Sequence, residues 1–593
     1  MYYKYCMTTR TPRKDHVATI KKTVNGKVYR TVLLRRTYRE GGKVKHQTLG
    51  NLSDLPGDLI ETIRRRLAVG KPLGIDADEQ SIRIARSLPH GNVAAVLGAA
   101  KNIGLDKLIA ARGCRERDLV LAMIVDRVIS PGSKLSCSNG LQAETAQNTL
   151  AQELRLGDVD VHELYAAMDW LLARQTRIEN KLAKKHLADG TLVLFDVSSS
   201  YYCGRKSELV THGYSRDHRR DLPQIVYGLL CDSDGRPIAV EVFPGNTSDP
   251  KTFTRLVERV RKRFGLKSVV FVGDRGMITS ARIDEDLRNI DGLEWISALR
   301  SEGIRKLVRA GYVDRSLFDE KDLAEIRAED LFPGERLVVC RNPLLAEERA
   351  RKRKELLSAT EEKLDVVVRA TQRARNPLKG EKEIGLRVGK VIGKYKMQKH
   401  FELTITKDSF RYARRAEKIA EEAALDGIYV VRASVSAEQM NSEQIVEAYK
   451  SLAKVERAFR SLKTVDLHLR PIHHHNDDRI RAHVFLCMLA YYVEWHMRER
   501  LREILFDDDD REPAQSSRRS VVAPSPRSES AKQKDATRRT QSGYPVQSFQ
   551  DMLKDLATLC RNRVQLTTTN TEFDQLTEST AYQRHVLTLL NAV

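Results

Sequence analysis

Hydrophobic positions along this chain change their spacing several times, and each change marks a different kind of element. In "VATIKKTVNGKVYRTVLL" (residues 17–34) two strand-like runs flank Asn25-Gly26, which predicts a hairpin. Gly41-Gly42 suggests a second turn, so residues 1 to about 75 read as basic strands. From about 90 to 188 the apolar spacing becomes helical, as in "DLVLAMIVDRVI" and "ELYAAMDWLLARQ". Then come short apolar runs, expected of strands covered on both faces: "TLVLF" from Thr191, "QIVYGLLC" from Gln224 and "RPIAVEVF" from Arg236. Asp232 to Gly235 turns the second run into the third. A helix follows in "TSDPKTFTRLVERVRKRF", with Asp249 expected at the N-cap and Pro250 at the first helical position. "SVVFVGDRGM" is a fourth buried strand ending in Asp274, and "LEWISAL" from Leu293 is a fifth. Between about 301 and 440, strand candidates ("RLVVC", "HFELTIT", "GIYVVRASV") mix with a highly charged helix, "AEERARKRKELLSATEEKLDVVVRATQ", expected to be solvated. A long helix, "NSEQIVEAYKSLAKVERAFRSLK", begins near Asn441 with Ser442 as its expected cap. Residues 507 to about 545 are poor in apolar residues and rich in Ser, Pro, Arg and Lys, which reads as a disordered linker with its four Asp residues solvated. No internal repeat is present.

Composition narrows the class. Several domains are expected of 593 residues, and 41% hydrophobic content suffices for real cores. Lys and Arg number 102 against 80 Asp and Glu, a net +22 that favours a polyanionic partner, nucleic acid being the commonest; a merely basic protein is the alternative. Eight cysteines form no CxxC pair, which argues against structural zinc and fits a reducing compartment. The N-terminus lacks the apolar core of a signal peptide, and "VFLCMLAYYV" from Val484 is too short to span a bilayer. The expected location is cytoplasmic.

Asp196 ends the first buried run and Asp274 the fourth, 78 positions apart (274 − 196). A lone acid there is costly, so partners are expected. Three hairpin-linked strands followed by parallel ones resemble a ribonuclease H-like layout, in which the first and fourth strands lie side by side. Ligand sites of open α/β sheets collect at such strand ends. Glu456 is the candidate third acid. Val446, Tyr449, Leu452, Val455, Phe459 and Leu462 mark the apolar face of its helix, and Glu456 borders that face, with Arg460 and Lys463 on the same side. The alternative is a surface Glu456–Arg460 pair worth ~0.3–0.5 kcal/mol.

These residues resemble the DDE transposases of bacterial insertion sequences, most closely the insertion-sequence-four superfamily. Its signature is Tyr, two residues, Arg, three residues, Glu, six residues, Lys. Tyr449, Glu456 and Lys463 keep those spacings, while Leu452 stands where the Arg is expected. "GDRGM" is similar to the family's second-Asp motif, and "SRDHRRDLPQIVYGLL" and "FPGNTSD" to segments between its first two acids. The likeness runs from about Leu194 to Leu489, and the gap of 182 positions (456 − 274) fits the family's strand-rich insertion.

The resemblance implies an α/β protein with a ribonuclease H-like catalytic core. Its domains would be a basic strand-rich region (1–85), a helical DNA-binding domain (86–188), the core's first half (189–300), an insertion (301–440), the core's second half (441–505), a disordered linker (506–545) and a helical tail (546–593). Asp196, Asp274 and Glu456 would be the catalytic residues and would bind two Mg²⁺ or Mn²⁺ ions, typically ~3.5–4 Å apart, through the oxygen ligands such hard cations prefer. Arg275, Tyr449, Arg460, Lys463, Arg216, Arg219 and Arg220 would contact DNA. Partners would be double-stranded transposon ends and target DNA, bound by a homodimer. The helical spacing of "VQSFQDMLKDLATL" makes the tail (546–593) a candidate for the dimer contact, with ordinary packing as the alternative. Two alternatives remain: a ribonuclease H-like nuclease without strand transfer, and a non-enzymatic DNA-binding descendant. His473, His474 and His475 are consecutive and do not converge on one ion; His483 is expected to be packed or DNA-facing. Asp217, Asp221, Asp232 and Asp234 are turn or loop acids, and Trp170, Trp295 and Trp495 read as core, with base stacking an alternative for Trp295.

Overall fold

The computed structural model describes residues 14–592 except 25–26, 41–42, 69–81, 205–206, 289, 314–316, 319–321, 511–517, 519 and 567–570. The expected turns at Asn25-Gly26 and Gly41-Gly42 lie outside the described residues. Two compact units are present, one formed by residues 1–86 and 563–575, the other by 87–562 and 576–593.

In the first unit, β1 (Lys14–Val24), β2 (Lys27–Glu40) and β3 (Lys43–Asn51) form an antiparallel meander in that order. A helix, Gly57–Ala68, packs against β1. The strands β4 (Ile82–Pro89), Cys560–Leu566 and Thr571–Leu576 form a second three-stranded sheet. The tail expected to be helical therefore carries a pair of strands as well.

The second unit is built on an eight-stranded mixed sheet. In chain order its strands are β5 (Thr191–Tyr201), β6 (Gln224–Asp232), β7 (Pro237–Pro244), β8 (Val269–Gly273), β9 (Leu293–Ala298), β10 (Leu323–Ile326), β11 (Arg336–Arg341) and, after the hairpin β12 (Phe401–Ile405) and β13 (Phe410–Arg414), β14 (Ile428–Ala433). The spatial order is β10-β11-β14-β9-β8-β5-β6-β7. Five of these, β7-β6-β5-β8-β9, have the expected ribonuclease H-like arrangement: β5 and β6 pair antiparallel, β5 and β8 parallel, β8 and β9 parallel. All of β6 and β8 is buried, as the unbroken apolar runs require.

The stretch expected to be an insertion is divided. Its strands β10, β11 and β14 extend the central sheet antiparallel from the β9 edge, and β11 and β14 are buried almost throughout. The remainder, helices Pro343–Thr371 and Glu381–Tyr395 with the β12–β13 hairpin, closes on a small core of its own. Leu357, Leu364 and Val367 supply that core from the charged helix expected to be solvated. One narrow apolar stripe is enough, because the other partners bring Ile384, Val388, Ile392, Phe401 and Phe410.

Helices Gly91–Asn102, Arg115–Ile129 and Val161–Leu172 surround Asp477–Arg500, which also packs on β7. The apolar run from Val484 is thus the inside of a core helix, and no helix among the described residues is long and apolar enough to cross a membrane. Two caps shift by one residue. Ser248, not Asp249, caps the helix Asp249–Glu258. Asn441, not Ser442, caps Ser442–Lys450, because its side chain accepts from Gln444 N–H while Gln444 bonds back to Asn441 N–H.

Part of the expected linker is folded. Helix Glu529–Thr537 is capped by Ser528, and Ala531, Lys534 and Val522 are buried. The acidic run is used rather than solvated: Asp508 accepts from Ser528 N–H at 3.0 Å and from its hydroxyl at 2.6 Å. Lys534 donates to the carbonyls of Arg502 (2.8 Å) and Asp507 (2.7 Å) and pairs with Asp509 at 3.1 Å. Composition counts apolar residues and does not register a segment anchored by a buried amine. Lys534→Met should lower stability by about 2–4 kcal/mol, since two carbonyls and a carboxylate lose their partner; a thermal melt unchanged from wild type would contradict this anchoring role. The tail helices Phe549–Ala557 and Ala581–Leu589 put Phe549, Met552, Leu553, Leu556, Tyr582 and Val586 into the main core, so this apolar face is covered within the chain rather than by a second copy. Gly91 allows the close approach: a Cβ there would lie 2.4 Å from Leu556 O.

Candidate active site

Asp196 is not at the end of its strand. It sits in the middle of β5, opposite Leu229 of β6. The parallel partner β8 is what ends: its last pair with β5 is Gly273 with Phe195, and Asp274 comes next. The two acids therefore leave adjacent strands one step beyond the last rung of the parallel ladder. Asp196 accepts from its neighbour Val197 N–H at 2.8 Å, and Asp274 from Arg275 N–H at 2.7 Å. Asp274 opens a tight turn whose carbonyl accepts from the N–H groups of Met277 and Ile278.

Glu456 arrives from the helix Leu452–Arg460, which lies across β5. Val455, Ala458 and Phe459 are buried beneath it, and Phe459 meets Tyr227 edge to face at 5.6 Å. Glu456 and Arg460 are exposed on the same side. All three acids line one cavity of about 840 Å³, together with Asp249, Arg216, Arg275, Tyr449, Leu452, Arg460 and Lys463. Arg219 and Arg220 do not line it; both are exposed, and Arg219 pairs with Asp221 at 2.8 Å.

The electrostatics show that the acids share one field. Burial pushes the Asp196 carboxyl up to about 7; the charges of Asp274 and Glu456 add to this, while Val197 N–H and Arg216 oppose it. Burial likewise pushes the Tyr449 phenol up to about 12, with Asp274, Glu456 and Asp196 adding and Arg275 opposing.

Two cavity cations are already engaged. Arg216 donates from one nitrogen to both Asp249 oxygens, at 2.6 and 2.8 Å. Lys463 donates to Asp217 at 2.8 Å, and Arg470 reaches the same oxygen at 2.5 Å. Asp217 also accepts from Tyr201 N–H at 3.2 Å, so this loop acid is a buried anchor and not a rival to Asp196. Leu452 lines the cavity, and its neighbours Lys454 and Arg457 do not: Lys454 donates to Ser233 O at 2.6 Å, and Arg457 pairs with Asp507 at 3.5 Å.

Three features had no clear sequence signal. Asp249 reads as a helix start, yet it is a fourth cavity carboxylate. Val522 and Pro524 form part of the cavity wall, and Lys450 holds them there by donating to the carbonyls of Val521 (2.5 Å), Val522 (2.8 Å) and Ala523 (3.0 Å). The other candidates fall elsewhere. His483 is buried, its Nε2–H donating to Leu469 O at 3.0 Å, with its ring 5.0 Å from that of His474. Trp295 is 4% exposed, which leaves no face for a base.

Among the described residues no three His, Cys, Asp or Glu side chains stand close enough together to hold a metal ion. In kind, the donors suit a hard divalent cation: the cavity is lined by four carboxylates and by no thiol or imidazole.

The transposase DDE domain family matches residues 188–493, more than half of the chain. The chain belongs to the DDE transposases. Its matched segment contains Asp196, Asp274 and Glu456 together with the whole five-stranded ribonuclease H-like arrangement. The N-terminal domain of IS1634 family transposases matches residues 17–71 of this transposase, which marks it as an insertion-sequence enzyme. No curated protein matches the chain. Among solved structures, a piggyBac transposase synaptic complex with hairpin DNA aligns with a TM-score of 0.34 and 10% identity, covering 68% of this chain and 72% of that one.

Proposed function

We propose that this transposase cuts DNA at the ends of its element and joins them to target DNA, with Asp196, Asp274 and Glu456 as the catalytic carboxylates. The observation that carries the proposal is the convergence of three acids from β5, the turn after β8 and the helix Leu452–Arg460 on a single basic-rimmed cavity. Asp196, Asp274 and Glu456 would hold divalent cations, which when bound supply charge neutralisation and an activated oxygen nucleophile. The chain's own residues do the positioning. Glu456 is held opposite the sheet acids by its helix, which Val455, Ala458 and Phe459 anchor on β5. Arg216 can exchange Asp249 for a DNA phosphate, a trade of one anionic oxygen partner for another. Arg275 and Arg460 rim the cavity, where they counter phosphate charge, and Lys463 bolsters that rim while tied to Asp217. Tyr449 stays protonated, so its hydroxyl can donate a hydrogen bond to a phosphate oxygen. Synapsis of two ends would bring two copies together.

The test is a joining assay. Purified protein, a duplex carrying the element's ends and a supercoiled plasmid are combined with Mg²⁺. A joined product is expected. Cutting without joined product would favour the nuclease, and end binding without cutting the non-enzymatic descendant.

A further inference from the structure

The β1–β3 meander has two faces, and the register assigns each side chain to one of them. Asp15 and Arg36 are paired across β1 and β2 and bond at 2.7 and 2.9 Å, so they share a face. Thr37 shares the opposite face with His16 and His46, which approach its hydroxyl at 3.4 and 2.9 Å. The helix Gly57–Ala68 lies on the Asp15 side: it packs on β1, and Arg64 donates to Thr19 at 3.1 Å. Val17, Val32 and Leu34 belong to that covered face by alternation.

The Thr37 face is open. Ile20, Tyr29 and Val44 are 40%, 58% and 52% exposed on it, and the opposite face exposes Val28 at 63% beyond the helix. By the same register it carries His16, Lys22, Arg35, Arg39 and His46, and no Asp or Glu among its described side chains. Exposed apolar groups among uncompensated cations do not suit a second copy of the same face, since like charges would be pressed together. They suit a polyanion that also offers apolar surface.

We propose that the open face of the β1–β3 sheet is where this transposase holds duplex DNA, with the cations on phosphates and Tyr29, Ile20 and Val44 against base edges. The inference rests on DNA being the substrate of the catalytic site.

The experiment uses the full chain and a fluorescent mixed-sequence duplex titrated at several salt concentrations. Lys22→Glu/Arg39→Glu alters the open face. Lys21→Glu/Arg30→Glu makes the same charge change on the same strands but on the helix-bearing face, where both side chains are also exposed. The first pair should weaken binding by at least about tenfold and flatten the salt dependence by about one to two phosphate contacts. The second should cost about threefold or less. Tyr29→Ala should weaken binding with the salt dependence unchanged. Circular dichroism and a thermal melt establish that each variant is folded. Equal losses from both pairs, or a larger loss from the pair on the helix-bearing face, would overturn the assignment. If the open-face pair binds normally while Asp274→Asn still abolishes cutting, the face is wrong and the catalytic reading stands. Failure of the wild-type chain to bind any duplex would overturn both.

Discussion

Asp274→Asn is expected to reduce DNA cutting by at least about a thousandfold, equivalent to about 4 kcal/mol, while leaving DNA binding and folding near wild type. The side chain is exposed in the cavity, and its Oδ1 accepts from Arg275 N–H. An Asn amide oxygen can accept that bond, so the turn after β8 keeps its geometry and stability should change by no more than about 0.5 kcal/mol. What Asn removes is an anionic oxygen beside Asp196. Glu456→Gln tests the same site from the other side of the cavity, with the helix held by Val455, Ala458 and Phe459 regardless of charge. Two variants with intact melts, intact binding and no Mg²⁺-dependent nicking would tie catalysis to the cavity. Normal nicking by either would remove that residue from the chemistry.

The catalytic sheet was legible because burial on both faces leaves a strong trace. "QIVYGLLC" and "SVVFV" have nowhere to lie but inside, and their order with the hairpins specifies which strands become neighbours. The neighbouring placement of Asp196 and Asp274 was legible for the same reason, since an unpaired carboxylate next to a buried strand demands an explanation. The position of Asp196 within β5 was not, because β5 continues as one half of a hairpin after its other neighbour stops. That event belongs to β8, 78 residues away (274 − 196), and leaves no mark near Asp196. Of the three extra strands, β11 and β14 are expected as strands but not as part of the sheet, because pairing partners are not encoded in apolar spacing, and the four-residue β10 is not expected at all. The segment around Val522 and Lys534 was hidden more deeply. Its anchors are amines that donate to backbone carbonyls, and every residue type passes those carbonyls unannounced. Arg216, Asp217 and Lys463 show the same limit at the site: all three were visible as charges, but their pairings with Asp249 and Arg470 were not.

A second expected result separates the site's function from its stability. In metal-free protein, Asp196→Asn should be more stable than wild type at pH 8, by on the order of 1–3 kcal/mol. The folded chain holds the Asp196 carboxyl at about 7 against an ordinary value of 3.8, chiefly through burial and secondarily through Asp274 and Glu456. Below the ordinary value both folded and unfolded chains keep the proton, and no penalty exists. As pH rises from about 4 towards 7, the unfolded chain releases the proton while the folded chain retains it, and stability falls. Above about 7 the folded carboxyl is ionised and the penalty is constant. Asn is neutral throughout, so the variant escapes it, and its advantage should shrink steadily as the pH is lowered from 8 towards 4. The effect is measured as the difference in melting temperature between the two proteins across that range in the presence of a chelator. Replacing the chelator with Mg²⁺ should raise the melting temperature of wild type more than that of the variant, because a cation bound by the native state alone stabilises it. A variant no more stable than wild type at pH 8 would mean that the Asp196 carboxylate is already satisfied without a cation, and the case for its holding one would fail.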